Sequence, residues 1–505
     1  MKDYLLSIDI GTSACKVMIF STDGEVMASA SKGYAVYYPQ EGYAEQNPEE
    51  WYEAVCKAIK VCLANSAVNA NDIAGIGIDG QSWSAIALDK NGKVICNTPI
   101  WMDTRASDIC KRLNHAIGKN KIFGLCGNNL QPSYTTPKIL WYQKNMPLEY
   151  KRIDKILQSN SYIAYLLTGK ITQDMSQGYG LHCFNMHTGT WDKDMCKELG
   201  FSDELLPEIY PCHQVIGCVT REAASRTGLV EGIPVVAGGL DAACGTLGVG
   251  VIANGQTQEQ GGTAGGMSIC TEEYIAEESL ILSHHVVPGK WLLQGGTVGG
   301  GGVMKWFEEQ FADYERVMAK ELGMSSLQQL NEIAEKVPAG SDKLIFLPYM
   351  AGERSPIWDV NAKGIYYGLD FLKTKGHMVR ATMEGVAFSL KHNIDTAKKA
   401  GAKVSELRAM GGSANSLLWT QIKADITGTK IKVPASDTAT ALGATILAGV
   451  GVGIYKSFEE AVEKTVTVKR EHEPNQENFE VYQTNYNLYL DIYQDLKNTM
   501  KSYGR

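Results

Sequence analysis

Ile233-Pro-Val-Val-Ala-Gly-Gly-Leu-Asp241-Ala-Ala-Cys-Gly-Thr-Leu-Gly248 is the stretch from which the rest of the chain can be read. Ile233 to Ala237 is a short β-branched run with the composition of a buried strand. Gly238 and Gly239 end it and let backbone come close to another group. Asp241 follows, ahead of a small-residue segment able to open a helix. A carboxylate at such a junction lies at the carboxyl end of a sheet, where open α/β folds place ligands. The positive end of the helix is expected to keep Asp241 ionised, and so a base rather than an acid. A simple N-cap is the alternative reading of the same residue.

Two other stretches share one pattern. Tyr4 to Phe20 is an alternating apolar strand, a Gly11-Thr12-Ser13 turn and a second strand containing Lys16, and Asp23-Gly24 turns the chain into a third. Gln256 to Ile269 again reads strand, Gly262-Thr263 turn, strand, which predicts a duplicated architecture. A Gly-Thr-Ser turn offers N–H groups and hydroxyls to a phosphate, and Asp9 before it can hold Mg²⁺ through water. A plain hairpin with a polar turn is the competing reading. Ile73 to Ile78 is another strand, ending in Asp79-Gly-Gln81-Ser82-Trp83, and Trp101-Met-Asp103-Thr-Arg105 follows a further strand end. Such positions suit reading of a small polar ligand. The glycine-rich loop Gly295 to Gly302, and Gly411-Gly412-Ser-Ala-Asn415 after another strand, suit a nucleotide phosphate or ribose.

At 505 residues the chain exceeds one hydrophobic core, so two or more domains are expected. Its 44% hydrophobic and 21% charged residues are those of a globular protein, and a net charge of −8 argues against a nucleic-acid or anionic-membrane surface. The 12 cysteines form no metal-binding spacing, and His182, His187 and His213 are read as structural. The apolar run Ala441 to Ile454 is too short for a bilayer, and the N-terminus leads straight into a strand. A cytoplasmic protein with reduced thiols is the expectation.

In order and spacing, these blocks resemble the FGGY family of carbohydrate kinases, within the actin/Hsp70/sugar-kinase superfamily. Thr135 to Trp141 and Leu347 to Pro356 complete the set, which runs along nearly the whole chain. Within the family the resemblance is to the xylulokinases, through Tyr43-Ala-Glu-Gln46, Thr136-Pro-Lys138-Ile-Leu-Trp141 and Leu347-Pro-Tyr-Met-Ala-Gly-Glu-Arg354-Ser-Pro. It implies an α/β fold of two ribonuclease-H-like domains flanking a cleft, residues 1–245 on the sugar side and 246–505 on the ATP side. ATP and Mg²⁺ are the implied cofactors and a sugar the partner, with a homodimer common among relatives.

Carried over, Asp241 is the catalytic base and Asp9 the Mg²⁺-associated carboxylate. Gly11, Thr12, Ser13, Lys16, Gly262 and Thr263 would surround phosphates, and Gly301, Gly411, Gly412 and Asn415 the nucleotide. Gln81, Ser82, Trp83, Asp103, Arg105 and Asp241 would form the sugar site. The implied reaction converts D-xylulose to D-xylulose 5-phosphate, with another ketose, an alditol or gluconate as alternatives and a non-kinase ATP-binding module as a remote one. Ser82-Trp83 stand where xylulokinases usually carry Met-His, which trades a donor–acceptor side chain for an indole with one donor.

Overall fold

A computed structural model describes residues 3–503. The first sheet begins with β1 (Tyr4–Ile10), β2 (Ala14–Ser21) and β3 (Val26–Gly33) as an antiparallel meander. After a helix α1 (Pro48–Asn65), β4 (Ile73–Gly80) pairs parallel to β1, and all its residues are buried. α1 starts as its sequence predicts: the Asn47 side chain accepts the Glu49 N–H at 3.0 Å, Pro48 fills the first turn, and Glu49 and Glu50 face the positive end. β5 (Val215–Cys218), β6 (Pro234–Val236) and β7 (Gly239–Leu240) complete the sheet in the order β5-β6-β4-β1-β2-β3, with β7 beside β4.

α2 (Asp241–Gly248) leaves β7 directly and runs across residues 245 and 246. The second sheet then forms from β8 (Gln256–Gly261), β9 (Gly265–Thr271), β10 (Ile281–His284) and β11 (Trp291–Thr297). Beyond the helix α3 (Lys375–Lys399), β12 (Glu406–Met410), β13 (Ile431–Pro434) and β14 (Val468–His472) join it, giving β10-β11-β9-β8-β12-β13-β14. Strip off β10, and β11-β9-β8-β12-β13-β14 repeats β3-β2-β1-β4-β6-β5 strand for strand, with the same parallel and antiparallel pairings. The predicted echo of residues 4–20 in residues 256–269 is therefore a repeat of whole sheets.

One helix ties the two sheets together. α4 (Ala439–Gly451), from the C-terminal half, lies against α2, β4 and β1 of the first half. Its small residues allow backbone to meet backbone. A Cβ on Gly443 would fall 1.9 Å from the Cys244 carbonyl oxygen, and one on Gly248 would fall 1.7 Å from that of Ala439. Neither position tolerates a side chain without moving a helix. A further strand, Ile153–Leu157, pairs antiparallel with Ile86–Asp89.

Candidate functional site

Strand register brings the carboxylates together. Asp9 on β1 and Gly239 on β7 both stand opposite Asp79 on β4, so Asp9, Asp79 and Asp241 gather where three strands end. Behind Asp241, the Ser176 hydroxyl accepts the Leu240 N–H at 2.9 Å and donates to Asp174 Oδ1 at 2.6 Å. Asp174 also takes the Gln177 N–H and the Asn160 amide, so a buried carboxylate fixes the backbone that carries Asp241.

Asp241 opens α2 without capping it. The N-cap residue is Leu240, and Asp241 accepts the N–H of its own neighbour Ala242 at 2.6 Å. Burial opposes the helix end that is expected to keep this group ionised. Burial, reinforced by the Asp9 charge, raises its pKa to about 7 against the lowering effect of the Ala242 N–H. Two turns of helix do not offset the loss of water. Asp79 is fully enclosed, and no protein N–H or O–H among the described residues reaches either of its oxygens. Burial first, then the Asp9 and Asp241 charges, hold it well above the carboxylate range, which favours the neutral acid, a form able to donate toward Asp9. Asp9 is itself raised by burial, and Asp79 and Lys16 counter that shift.

Asp9 and Asp241 lie on a cleft of about 450 Å³ between the two sheets. Gly11 and Thr12 line it from the first half, and Gly265 and Gly266 from the second. Ser82, Trp83, Trp101 and Tyr179 form the wall on the Asp241 side. The Thr12 hydroxyl receives the Trp101 indole N–H at 2.9 Å. Trp83 sits at φ 59°, with its ring stacked on Tyr134 at 4.3 Å between centroids and its Nε1 buried without a partner. Lys138 pins that backbone: wholly buried, its ammonium donates to the carbonyls of Trp83 at 2.8 Å and Ile100 at 2.9 Å. Burial lowers the Lys138 pKa to about 7.

Several predicted site residues stand elsewhere. Asp103 does not line the cleft: it is fully buried, accepts the Ala44 N–H at 2.8 Å, and is chelated by Arg105 at 2.7–2.9 Å. Arg105 also pairs with Glu45 at 2.7 Å and lies over the Tyr43 ring at 3.8 Å, so every charge in this group is answered inside the protein. Gln81 points inward too, donating to Gln46 at 2.8 Å, and Gln46 in turn holds the Thr12 carbonyl at 2.8 Å. Both groups brace the cleft from behind. Ser13 and Lys16 are exposed beside the first turn, with Lys16 across from Asp9 in the β1–β2 register.

The predicted nucleotide residues form one crossing of loops. Gly301 N–H donates to the Gly262 carbonyl at 2.6 Å and Gly302 N–H to that of Thr263 at 3.0 Å. Gly411, at φ 87°, approaches Gly261 so closely that a Cβ would meet its carbonyl at 2.8 Å. Gly411, Gly412 and Asn415 are exposed at this crossing. Below it lies a buried ion pair that local sequence does not reveal: Lys423 donates to Glu259 at 2.6 Å and to the Ser413 hydroxyl at 2.7 Å. Glycine turns whose N–H groups flank a cleft suit phosphates, and the Asp9 carboxylate beside the first turn suits a hydrated Mg²⁺, which needs few protein ligands. Among the described residues no helix is long and apolar enough to cross a membrane.

Two like sheets, each ending in a glycine turn over a shared acidic cleft, define a two-domain α/β architecture with one ligand cleft between its halves. Residues 4–248 match the N-terminal domain of the FGGY family of carbohydrate kinases and residues 260–452 its C-terminal domain, and the chain belongs to that family. It is similar to a xylulose kinase of Bacillus subtilis (strain 168), 32% identical over 99% of both chains. Among solved structures it resembles the xylulose kinase of Rhodospirillum rubrum, with a TM-score of 0.90 and 26% identity over 99% of this chain and 100% of that one. The gluconate kinase of Lactobacillus acidophilus is as similar in shape, at a TM-score of 0.90 and 27% identity over 99% of each chain. The fold is thus the two-domain actin-like one, and the protein is an ATP-dependent sugar kinase.

Proposed function

We propose that this kinase phosphorylates D-xylulose to D-xylulose 5-phosphate, with Asp241 as general base. The observation that carries the reading is the Asp241 carboxylate, lining the cleft with a pKa raised to about 7, where a base is strengthened and still about half ionised at neutrality. Asp241 takes the proton of the sugar hydroxyl as its oxygen bonds to the γ-phosphorus, and the bond from that phosphorus to the bridging oxygen breaks to release ADP. Gly11, Thr12, Gly262 and Thr263 approach the phosphates, with Ser13 and Lys16 beside them. Gly301, Gly411, Gly412 and Asn415 face the nucleoside. Asp9 would hold Mg²⁺ through water, and the ion supplies charge neutralisation on the phosphates when bound. ATP lies chiefly against residues 246–505 and the sugar against 1–245, where Ser82, Trp83, Trp101 and Tyr179 shape its pocket.

The similarity to xylulose kinases supports the substrate. Gluconate is the second reading, favoured by the guanidinium of Arg354 on the same cleft and by the likeness to a gluconate kinase. Coupled ADP release across ketopentoses, pentitols, ketohexoses and gluconate decides between them, with Trp83→His alongside. D-xylulose is expected to give the highest kcat/KM. A different winner removes the xylulose assignment, and sugar-independent hydrolysis removes the kinase chemistry proposed for Asp241.

A further inference from the structure

Arg354 is the one cationic side chain among the residues lining the cleft, and among the described residues it forms no salt bridge. Other enclosed arginines are paired: Arg105 with Asp103 and Glu45, Arg380 with Glu384, Arg408 with Glu406. Arg354 has only the Thr297 carbonyl, accepting from Nη2 at 3.2 Å, while its Nε is buried without a partner. Its sequence neighbour Glu353 is felt only as a nearby charge and makes no hydrogen bond to the guanidinium. That carboxylate accepts the backbone N–H groups of Val298 at 2.6 Å and of Arg354 at 2.8 Å, and the Ser389 hydroxyl at 3.4 Å.

The loop is built to hold this guanidinium still. Glu353 ties it to Val298, the Ser355 N–H donates to the Gly296 carbonyl at 3.1 Å, and Asn393 donates to the Ser355 carbonyl at 3.1 Å. In front of it the lining is glycine. A Cβ on Gly296 would stand 3.3 Å from the Arg354 guanidinium, and Gly265, Gly266 and Gly295 continue the same surface. A fixed fork of donors, half-buried, unpaired and fronted by bare backbone, is a binding site for an oxyanion. Burying such a charge unanswered is costly, and a bound anion relieves that cost.

We propose that Arg354 binds an oxyanion of the bound reactants, so that this cleft reads negative charge as well as hydroxyl geometry. Two sources share that chemistry: the phosphoryl group in transfer and the carboxylate of an acidic sugar. The proposal deepens the sugar-kinase reading of the same cleft and rests on it.

The test compares wild type, Arg354→Met and Arg354→Lys. Calorimetric titration with D-gluconate and with inorganic phosphate, without nucleotide, comes first; steady-state kinetics with D-xylulose and D-gluconate follow. Arg354→Met is expected to weaken binding of at least one of the two anions by about 10- to 100-fold, the range of a charge-assisted hydrogen-bonding site, with Arg354→Lys partly restoring it. Loss confined to gluconate identifies the carboxylate as the ligand. Loss toward phosphate, with kcat/KM falling alike for both sugars and a raised KM for ATP, identifies the phosphoryl group. Unchanged affinity for both anions in a folded Arg354→Met protein overturns the proposal. The titrations stand apart from turnover: if no sugar is phosphorylated, the function reading fails while anion binding still reports on Arg354.

Discussion

Replacing Asp241 with asparagine separates what this carboxylate contributes to chemistry from what it costs the fold. With a pKa of about 7, the base is half ionised at neutrality. Wild-type kcat/KM is therefore expected to fall tenfold per unit below pH 7, reaching about a tenth at pH 6 and about a hundredth at pH 5. Asp241→Asn keeps the shape and removes the proton acceptor, so turnover drops by about 10²- to 10⁴-fold with ATP affinity retained. Stability moves the other way. Between an unfolded pKa near 4 and the folded value, the native protein holds a proton that the unfolded chain has lost, so stability falls as pH rises through that window. The asparagine lacks this slope. Its advantage over wild type grows from pH 5 to pH 8, to a ceiling of about 4 kcal/mol for three units. The assays are coupled ADP release from pH 5 to 9 and thermal unfolding at both ends of the range. A flat acid limb down to pH 5, or an asparagine variant less stable than wild type at pH 8, would refute the account of a base made weak by burial.

Three further outcomes follow from named contacts. Lys138→Met strands the carbonyls of Trp83 and Ile100, and at about 1–3 kcal/mol for each buried unsatisfied group it should lower urea-unfolding stability by about 2–6 kcal/mol and raise the sugar KM by loosening Trp83. Asp79→Asn replaces a protonated acid with a neutral isostere, so thermal stability at pH 7 should match or exceed wild type; a large loss there would show that Asp79 is ionised. Gly443→Val forces a side chain into the Cys244 carbonyl, and the variant should unfold about 2–12 °C lower in a thermal scan, since overpacking typically costs about 1–3 kcal/mol and each kcal/mol shifts a domain of this size by about 2–4 °C.

What could be read without coordinates was what lies close in the chain. Apolar alternation around Gly11 and around Gly262 is local, and so both hairpins, and from them the duplicated sheets, were legible. Asp241 was placed by the strand, two glycines and helix around it. Its protonation was not, because the burial that raises its pKa comes from elements far along the chain. Asp103 and Gln81 look like ligand-reading residues after strand ends, yet Arg105 and Ala44 claim the Asp103 carboxylate and Gln46 takes the Gln81 amide N–H from within. Arg354 was hidden for the opposite reason. Glu353-Arg354 reads as a self-neutralising dipeptide, and only the fold shows the acid turned to Val298 and the base left to the cleft.

The glycine crossing of α2 and α4 has a mechanical consequence. Interlocked side chains give a helix contact discrete notches, and shifting it means lifting knobs out of holes. At Gly248 and Gly443 there are no knobs, only two backbones in contact at the junction of the two halves. Two added methyl groups there would push the halves apart, so the closeness of this junction rests on the absence of two side chains.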